Sequence, residues 1–111
     1  MGRRKKLRRH QNKSVIKTSV EACKQAIRID PGFAMAHLRL GVVYAELGRY
    51  QEAIDACKQA IRIDPGNAEA HFTLGMVYVK LGNKESALNQ HRILMDIDRE
   101  LANRLFDQIN K

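Results

Sequence analysis

The sequence lacks the features that identify membrane proteins, secreted proteins and the common enzyme classes. No stretch approaches the ~18 consecutive apolar residues of a membrane helix, and the basic N-terminus is not followed by the apolar region of a secretory signal. A nucleophile elbow, a P-loop and a dinucleotide-binding glycine pattern are all absent. Tryptophan is absent too, and the 111 residues include only two prolines and two cysteines. We therefore expect a cytoplasmic protein that is not an enzyme.

An exact internal repeat is the most informative feature that is present. The segment Ala22 to Gly32, ACKQAIRIDPG, recurs letter for letter at Ala56 to Gly66, an offset of 34 residues. Alignment of residues 22–55 with residues 56–89 gives 21 identical pairs out of 34. Proteins built from such repeats bury their cores by stacking neighbouring units, and they act through the surface that stacking creates.

The repeated residues resemble the tetratricopeptide repeat (TPR), a 34-residue helix–turn–helix unit. The first full unit matches the pattern of that family at Leu40, Gly41, Tyr44, Gly48, Tyr50, Ala53, Ala60 and Pro65. The second unit matches it at Leu74, Gly75, Tyr78, Gly82 and Ala87. Lys84, Leu94 and Arg99 depart from the pattern, as in a degenerate last repeat. Cys23, Ala26 and Pro31 match the second helix of a preceding half unit.

The resemblance implies an all-α fold, a right-handed superhelical stack of antiparallel helix pairs with about two and a half repeats and a C-terminal capping helix. We predict helices at about 15–29, 34–47, 50–63, 68–81, 84–97 and 99–110. A basic N-terminal arm (1–13) precedes the TPR domain (14–111). The domain divides into a half repeat (14–33), two repeats (34–67 and 68–98) and the capping helix (99–111). One arc of that last helix is apolar, with Leu101, Ala102, Leu105, Phe106 and Ile109.

The positive charge is concentrated in the arm. The chain has 20 basic and 12 acidic residues, and eight of the basic ones lie before residue 18, where no acid occurs. Such an arm can bind phosphate backbones with an affinity that salt weakens. Nucleic-acid association is therefore an alternative function, with candidate contacts at Arg3, Arg4, Lys5, Lys6, Arg8 and Arg9. No aromatic side chain is interleaved for base stacking, so a solvated tail explains the arm equally well.

The cysteines and histidines recur at equivalent positions, which favours packing roles. Cys23, Cys57 and His91 share one position in successive units, and His37 and His71 share another. Equivalent helices of adjacent units lie ~8–10 Å apart, too far for a disulfide, so we expect free thiols. No histidine has a partner at metal-ligand spacing, and we predict no metal, no cofactor and no catalytic residue.

A concave groove is the expected functional surface. In TPR proteins the first helices of successive units line a groove, and the register of Gly41 and Gly75 then implies groove positions at Met35, Leu38, Val42, Glu46, Glu69, Phe72, Met76 and Lys80. TPRs that clamp a C-terminal carboxylate use Lys, Asn and Arg where this chain has apolar residues, so the clamp is lacking. We therefore expect a non-catalytic protein-interaction module or scaffold that binds a peptide segment through apolar anchors. The groove could instead be covered by the capping helix or by a second protomer.

The N-terminal end of the stack is expected to be open. The helix predicted at 15–29 is amphipathic, but Arg3 and Lys6 stand where the helix that should cover it needs apolar residues. Its apolar residues are Val15, Ile16, Val20, Cys23, Ala26 and Ile27. We expect self-association, most simply a homodimer through this helix. An alternative is that the chain is a fragment of a longer array.

Overall fold

The structure is a computed structural model that describes residues 19–111. Residues 19–29 are helical and form α1. They are followed by α2 (Ala34–Glu46), α3 (Tyr50–Ile63), α4 (Ala68–Lys80), α5 (Lys84–Ile97) and α6 (Arg99–Ile109). The prediction of six helices and no strand is confirmed for this part of the chain. The predicted start of the first helix near residue 15 lies outside the described residues.

Glycine and proline determine where α1 to α4 end. Gly48 and Gly82 follow α2 and α4 with φ of 75° and 73°, a left-handed conformation that glycine adopts without steric cost. At the other end of the hairpins, Asp30 and Asp64 precede prolines, which force the preceding residue out of the helical region. Each turn is short, so consecutive helices pack antiparallel.

The helices stack in chain order. α2 packs on α3 and α4 packs on α5, and α4 also contacts α2 and α3. Gly41 permits close contact within the first pair, since a Cβ atom there would lie 2.7 Å from the Cys57 sulfur. The main core cluster joins α1 to the first hairpin through Val20, Cys23, Leu40, Tyr44 and Cys57.

The last helix covers the C-terminal end of the stack. α6 packs against α4 and α5, and Ala102 and Leu105 are fully buried there beside Leu94. Residues of its opposite face, such as Asn103 and Asp107, are exposed. The capping role predicted for this helix is confirmed. Phe106 lies at the edge of the apolar arc and remains 44% exposed.

Candidate functional site

α2 and α4 present two adjacent cavities that are lined by the eight residues of the predicted groove. The first cavity, about 690 Å³, is bounded by Met35, Leu38, Val42, Glu46 and Glu69, together with residues of α1. The second cavity, about 320 Å³, is bounded by Val42, Glu46, Phe72, Met76 and Lys80. Val42 and Glu46 line both cavities, so the two form one continuous surface. We refer to this surface as the groove.

Leu38 differs from the other groove residues because it belongs to the core. Its side chain is 2% exposed and packs against Ala60 of α3 and Ala70 of α4. The two alanines let the three helices approach closely, and Leu38 fills the space between them. It forms the floor of the first cavity, whereas Met35 is 43% exposed at its rim. A charge at Leu38 would therefore test folding rather than binding.

The charged side chains of the groove form no ion pairs with one another. Within residues 19–111 the one ion pair joins Arg49 to Glu52, at 2.6 Å. Glu46, Glu69 and Lys80 therefore have no ionic partner in the described part of the chain. Glu46 and Glu69 both line the first cavity and Lys80 lines the second, so the groove presents unpaired charges of both signs to a ligand.

Sequence reasoning missed two basic residues at this surface. Arg39 lines the first cavity, and the guanidinium of Arg104 lies over the Phe72 ring, 5.5 Å from its centroid. Arg39 could have been found, since it follows Met35 by four residues and so shares its helix face. Arg104 could not, because the position of α6 relative to α4 depends on tertiary packing.

The two cysteines are buried thiols. Cys57 is fully buried, and burial raises its pKa to about 12. Burial also raises the pKa of Cys23, and the nearby Arg39 guanidinium opposes part of that shift. Both thiols are free and both belong to the main core cluster, as expected for packing residues.

The histidines also contribute to packing. His37 Nε2 lies 2.9 Å from the Pro31 carbonyl, and His71 Nε2 lies 2.9 Å from that of Pro65. Each ring thereby ties the start of a hairpin to the turn before it. His91 stacks on Phe106, with ring centroids 5.0 Å apart. Within residues 19–111 no group of three or more histidine, cysteine or acidic residues is arranged to hold a metal ion.

The described residues include only part of the N-terminal end that was predicted to be open. Of the apolar residues predicted to be uncovered there, Val20 and Cys23 are buried in the main core cluster, and Ala26 and Ile27 are partly buried. The neighbouring Phe33 and Met35 are 47% and 43% exposed beside a cavity of about 200 Å³. Val15 and Ile16 lie outside the described residues, so self-association through this end stays a prediction.

The basic candidate contacts for nucleic acid also lie outside the described residues, namely Arg3, Arg4, Lys5, Lys6, Arg8 and Arg9. Nucleic-acid binding by the arm therefore stays a prediction as well. Among residues 19–111, no helix is long and apolar enough to cross a membrane.

Two family models match the sequence. One, described as TPR repeat, matches residues 43–82, and the other, described as tetratricopeptide repeat, matches residues 22–55. Together they span residues 22–82, which is more than half of the chain. No curated protein matches the sequence significantly.

Solved structures of the same architecture superpose closely. TTC0263, a thermophilic TPR protein of Thermus thermophilus, has a TM-score of 0.83 and 27% identity, over 93% of this chain and 54% of its own. YrrB, described as a TPR protein with an unusual peptide-binding site, has a TM-score of 0.76 and 26% identity, over 83% and 48%. The TPR2B domain of yeast Sti1, in its pHsp70 complex, has a TM-score of 0.81 and 22% identity, over 93% and 89%. This chain thus spans about half the length of the first two.

Proposed function

Because the chain belongs to the tetratricopeptide repeat family, we propose that it is a non-catalytic interaction module that binds a peptide segment of a partner protein in the groove. The observation that carries this proposal is the pair of adjoining cavities, about 690 and 320 Å³, which share Val42 and Glu46. Concave, largely apolar surfaces with a few polar groups are where ligands bind. The structural likeness to YrrB, which is described as having an unusual peptide-binding site, supports peptide binding as the function of this surface.

The residues of the groove suggest the chemistry of its ligand. Phe72 provides a rigid aromatic anchor, and Met76 beside it has a flexible side chain that adapts to irregular shapes. Each cavity would take one apolar side chain of the peptide. Between them, Glu46 would attract a lysine or arginine of the ligand. A peptide with two apolar anchors and a cation between them is thus the expected ligand.

Buried free thiols suit the cytoplasmic location that we include in the proposal.

The proposal can be tested with peptides selected from a random display library on the immobilised protein. Their affinities are then measured by calorimetry against Phe72→Glu and Met76→Glu. Loss of a central anchor costs ~2 kcal/mol or more, so we expect affinity to fall at least ~30-fold in each variant.

Leu81→Glu is the matched control. Leu81 is apolar and 51% exposed, but it lies past the end of α4 and does not line either cavity. This variant should bind the peptides as the wild type does, and circular dichroism should find all three variants folded. Equal losses in the control and the groove variants, or no loss in any, would place recognition elsewhere.

A further inference from the structure

The first cavity of the groove lies beside the point where the basic arm joins the repeats. Ser19 is the first residue that the structure describes, and it lines this cavity together with Ala22 and Cys23 of α1. Only residues 14–18 separate it from the arm (1–13). A segment joined to the edge of a cavity by a short linker is present there at an effective concentration of about a millimolar.

The arm is long enough to enter the cavity. Leu7 is separated from Ser19 by residues 8–18. The sequence predicts that the first helix begins near residue 15, which leaves residues 8–14 to cover the distance. Seven extended residues span about 25 Å. Because Ser19 already borders the cavity, this length is sufficient.

The arm has the chemistry that the groove is proposed to bind. Leu7 is the one apolar residue between Arg3 and Lys13, and Lys6 and Arg8 stand on either side of it. The peptide expected as the ligand of the groove likewise combines an apolar anchor with a cation. The inference drawn below therefore rests on the proposed function of the groove.

The charges of the first cavity are arranged so that its carboxylates are accessible to a cation. Arg39, Glu46 and Glu69 line this cavity, and together they carry a charge of −1. Arg39 lies on the α1 side, where it opposes part of the upward pKa shift of Cys23. The carboxylates lie towards α4, since Glu69 belongs to that helix and Glu46 also lines the second cavity. Neither carboxylate has an ionic partner within residues 19–111.

The second cavity is less suited to a basic segment. Lys80 lines it together with Glu46, so the two charges balance. The guanidinium of Arg104 lies over the Phe72 ring at the same cavity and adds a further positive charge. A segment with many cations and no acid is therefore expected in the first cavity rather than the second.

We propose that the basic arm occupies the first cavity of its own chain when no partner is bound, as an internal ligand that a partner peptide must displace. Leu7 contacts the exposed Met35 and the half-buried Val42 at the walls of this cavity. The basic residues on either side of Leu7 face the two carboxylates. The arm thereby lowers the affinity of the groove for partners and selects those whose own anchor and cation bind more tightly.

Nuclear magnetic resonance on the full chain tests the contact directly. We expect nuclear Overhauser effects (NOEs) between the methyl groups of Leu7 and those of Met35 and Val42. Raising the salt from about 0.05 M to about 1 M, where charges are screened within ~3 Å, should weaken them. In a mixture of labelled and unlabelled chains, filtering for NOEs between molecules should remove them. Their absence from the wild type, or their presence only between molecules, would overturn the proposal.

A matched pair of variants tests the role of the carboxylates. Glu69→Gln removes a carboxylate of the first cavity from the second residue of α4. Glu85→Gln makes the same change at the second residue of α5, and Glu85 lines neither cavity. We expect the NOEs between Leu7 and Met35 to weaken in Glu69→Gln and to stay unchanged in Glu85→Gln. Equal effects of the two substitutions would contradict the proposed contact.

A second pair of variants tests displacement by a partner. Leu7→Ser removes the anchor of the arm, and His10→Ser changes a neighbouring arm residue that the contact does not use. Leu7→Ser should raise the affinity for groove-selected peptides at least about 3-fold, because an internal competitor is weakened, and His10→Ser should not. Equal affinities of these two variants would contradict the arm as a competitor. Failure of Phe72→Glu to weaken peptide binding would instead contradict the groove itself.

Nucleic-acid binding by the arm predicts a different result. A single-stranded RNA of about 12 nucleotides would shift the resonances of the arm in a chain that shows no NOEs between Leu7 and the groove. That outcome would assign the arm to nucleic acid and overturn the proposal.

Discussion

The two hairpins, aligned as residues 34–67 and 68–101, share 12 of 34 residues, yet the same residue meets different neighbours in each. Gly41 in the first hairpin faces the Cys57 sulfur and the backbone oxygen of Ala53. Its counterpart Gly75 faces the end of the Leu105 side chain on α6 and Cβ of Gln90. Sequence identity between repeats therefore reproduces the backbone, while the residues that differ decide how tightly each position is packed.

Alanine at the two glycines should give the largest difference between the hairpins. A Cβ atom at residue 41 would lie 2.7 Å from a fully buried sulfur and 3.3 Å from a backbone oxygen. At residue 75 the close contacts, 2.6 and 3.0 Å to the methyl ends of the buried Leu105 and 3.3 Å to Cβ of Gln90, are all with side-chain atoms and none is with the backbone. We expect Gly41→Ala to lower the free energy of unfolding by ~1–3 kcal/mol and Gly75→Ala by less than half as much. Urea denaturation followed by circular dichroism measures both. A larger cost at residue 75 would mean that α6 is held as rigidly as α3.

The two histidines should differ by a smaller amount. His71 is 4% exposed and has two hydrogen-bond partners, whereas His37 is partly exposed and has one. We expect His71→Ala to cost ~2–3 kcal/mol and His37→Ala ~1 kcal/mol. Gln90→Ala makes the second hairpin resemble the first and should cost ~1 kcal/mol. Equal costs for the two histidines in thermal and urea unfolding would contradict a packing role for Gln90.

The two equivalent cysteines should differ in the reactivity of their thiols, and this difference does not involve a change in the stability of the protein. With a pKa of about 12, the thiol of folded Cys57 is almost wholly protonated near pH 8, and the thiolate is the reactive form. Cys23 is 9% exposed, and Arg39 opposes part of its upward pKa shift. We expect iodoacetamide to modify Cys23 first and to reach Cys57 only when the protein unfolds. Mass spectrometry of the partly labelled protein decides the order, and faster labelling of Cys57 would be inconsistent with its burial.

The repeat pattern was sufficient to predict the helices and their turns, because Gly48, Gly82 and the two prolines determine where α1 to α4 end. The residues that it placed on one face of α2 and α4 line the two cavities, since helical spacing assigns residues to faces, and their role in peptide binding stays a prediction. The repeat pattern did not predict the burial of Leu38, which depends on close packing against Ala60 and Ala70. Nor did it predict the cavity of about 500 Å³ between α1 and α3, which His37 and Ala56 help to line. That cavity depends on which side chain a neighbouring helix supplies, and Ala56 is one of the positions where the repeats differ.

The groove as the peptide-binding surface is the central claim, and mapping a bound peptide tests it most directly. A library-selected peptide is titrated into ¹⁵N-labelled protein, and the shifted backbone amides are assigned. We predict that the largest shifts fall on α2 and α4, at and around Val42, Glu46, Phe72 and Met76, with little change on the outer faces of α3 and α5. Shifts concentrated on α3 and α5, with α2 and α4 unaffected, would contradict the claim.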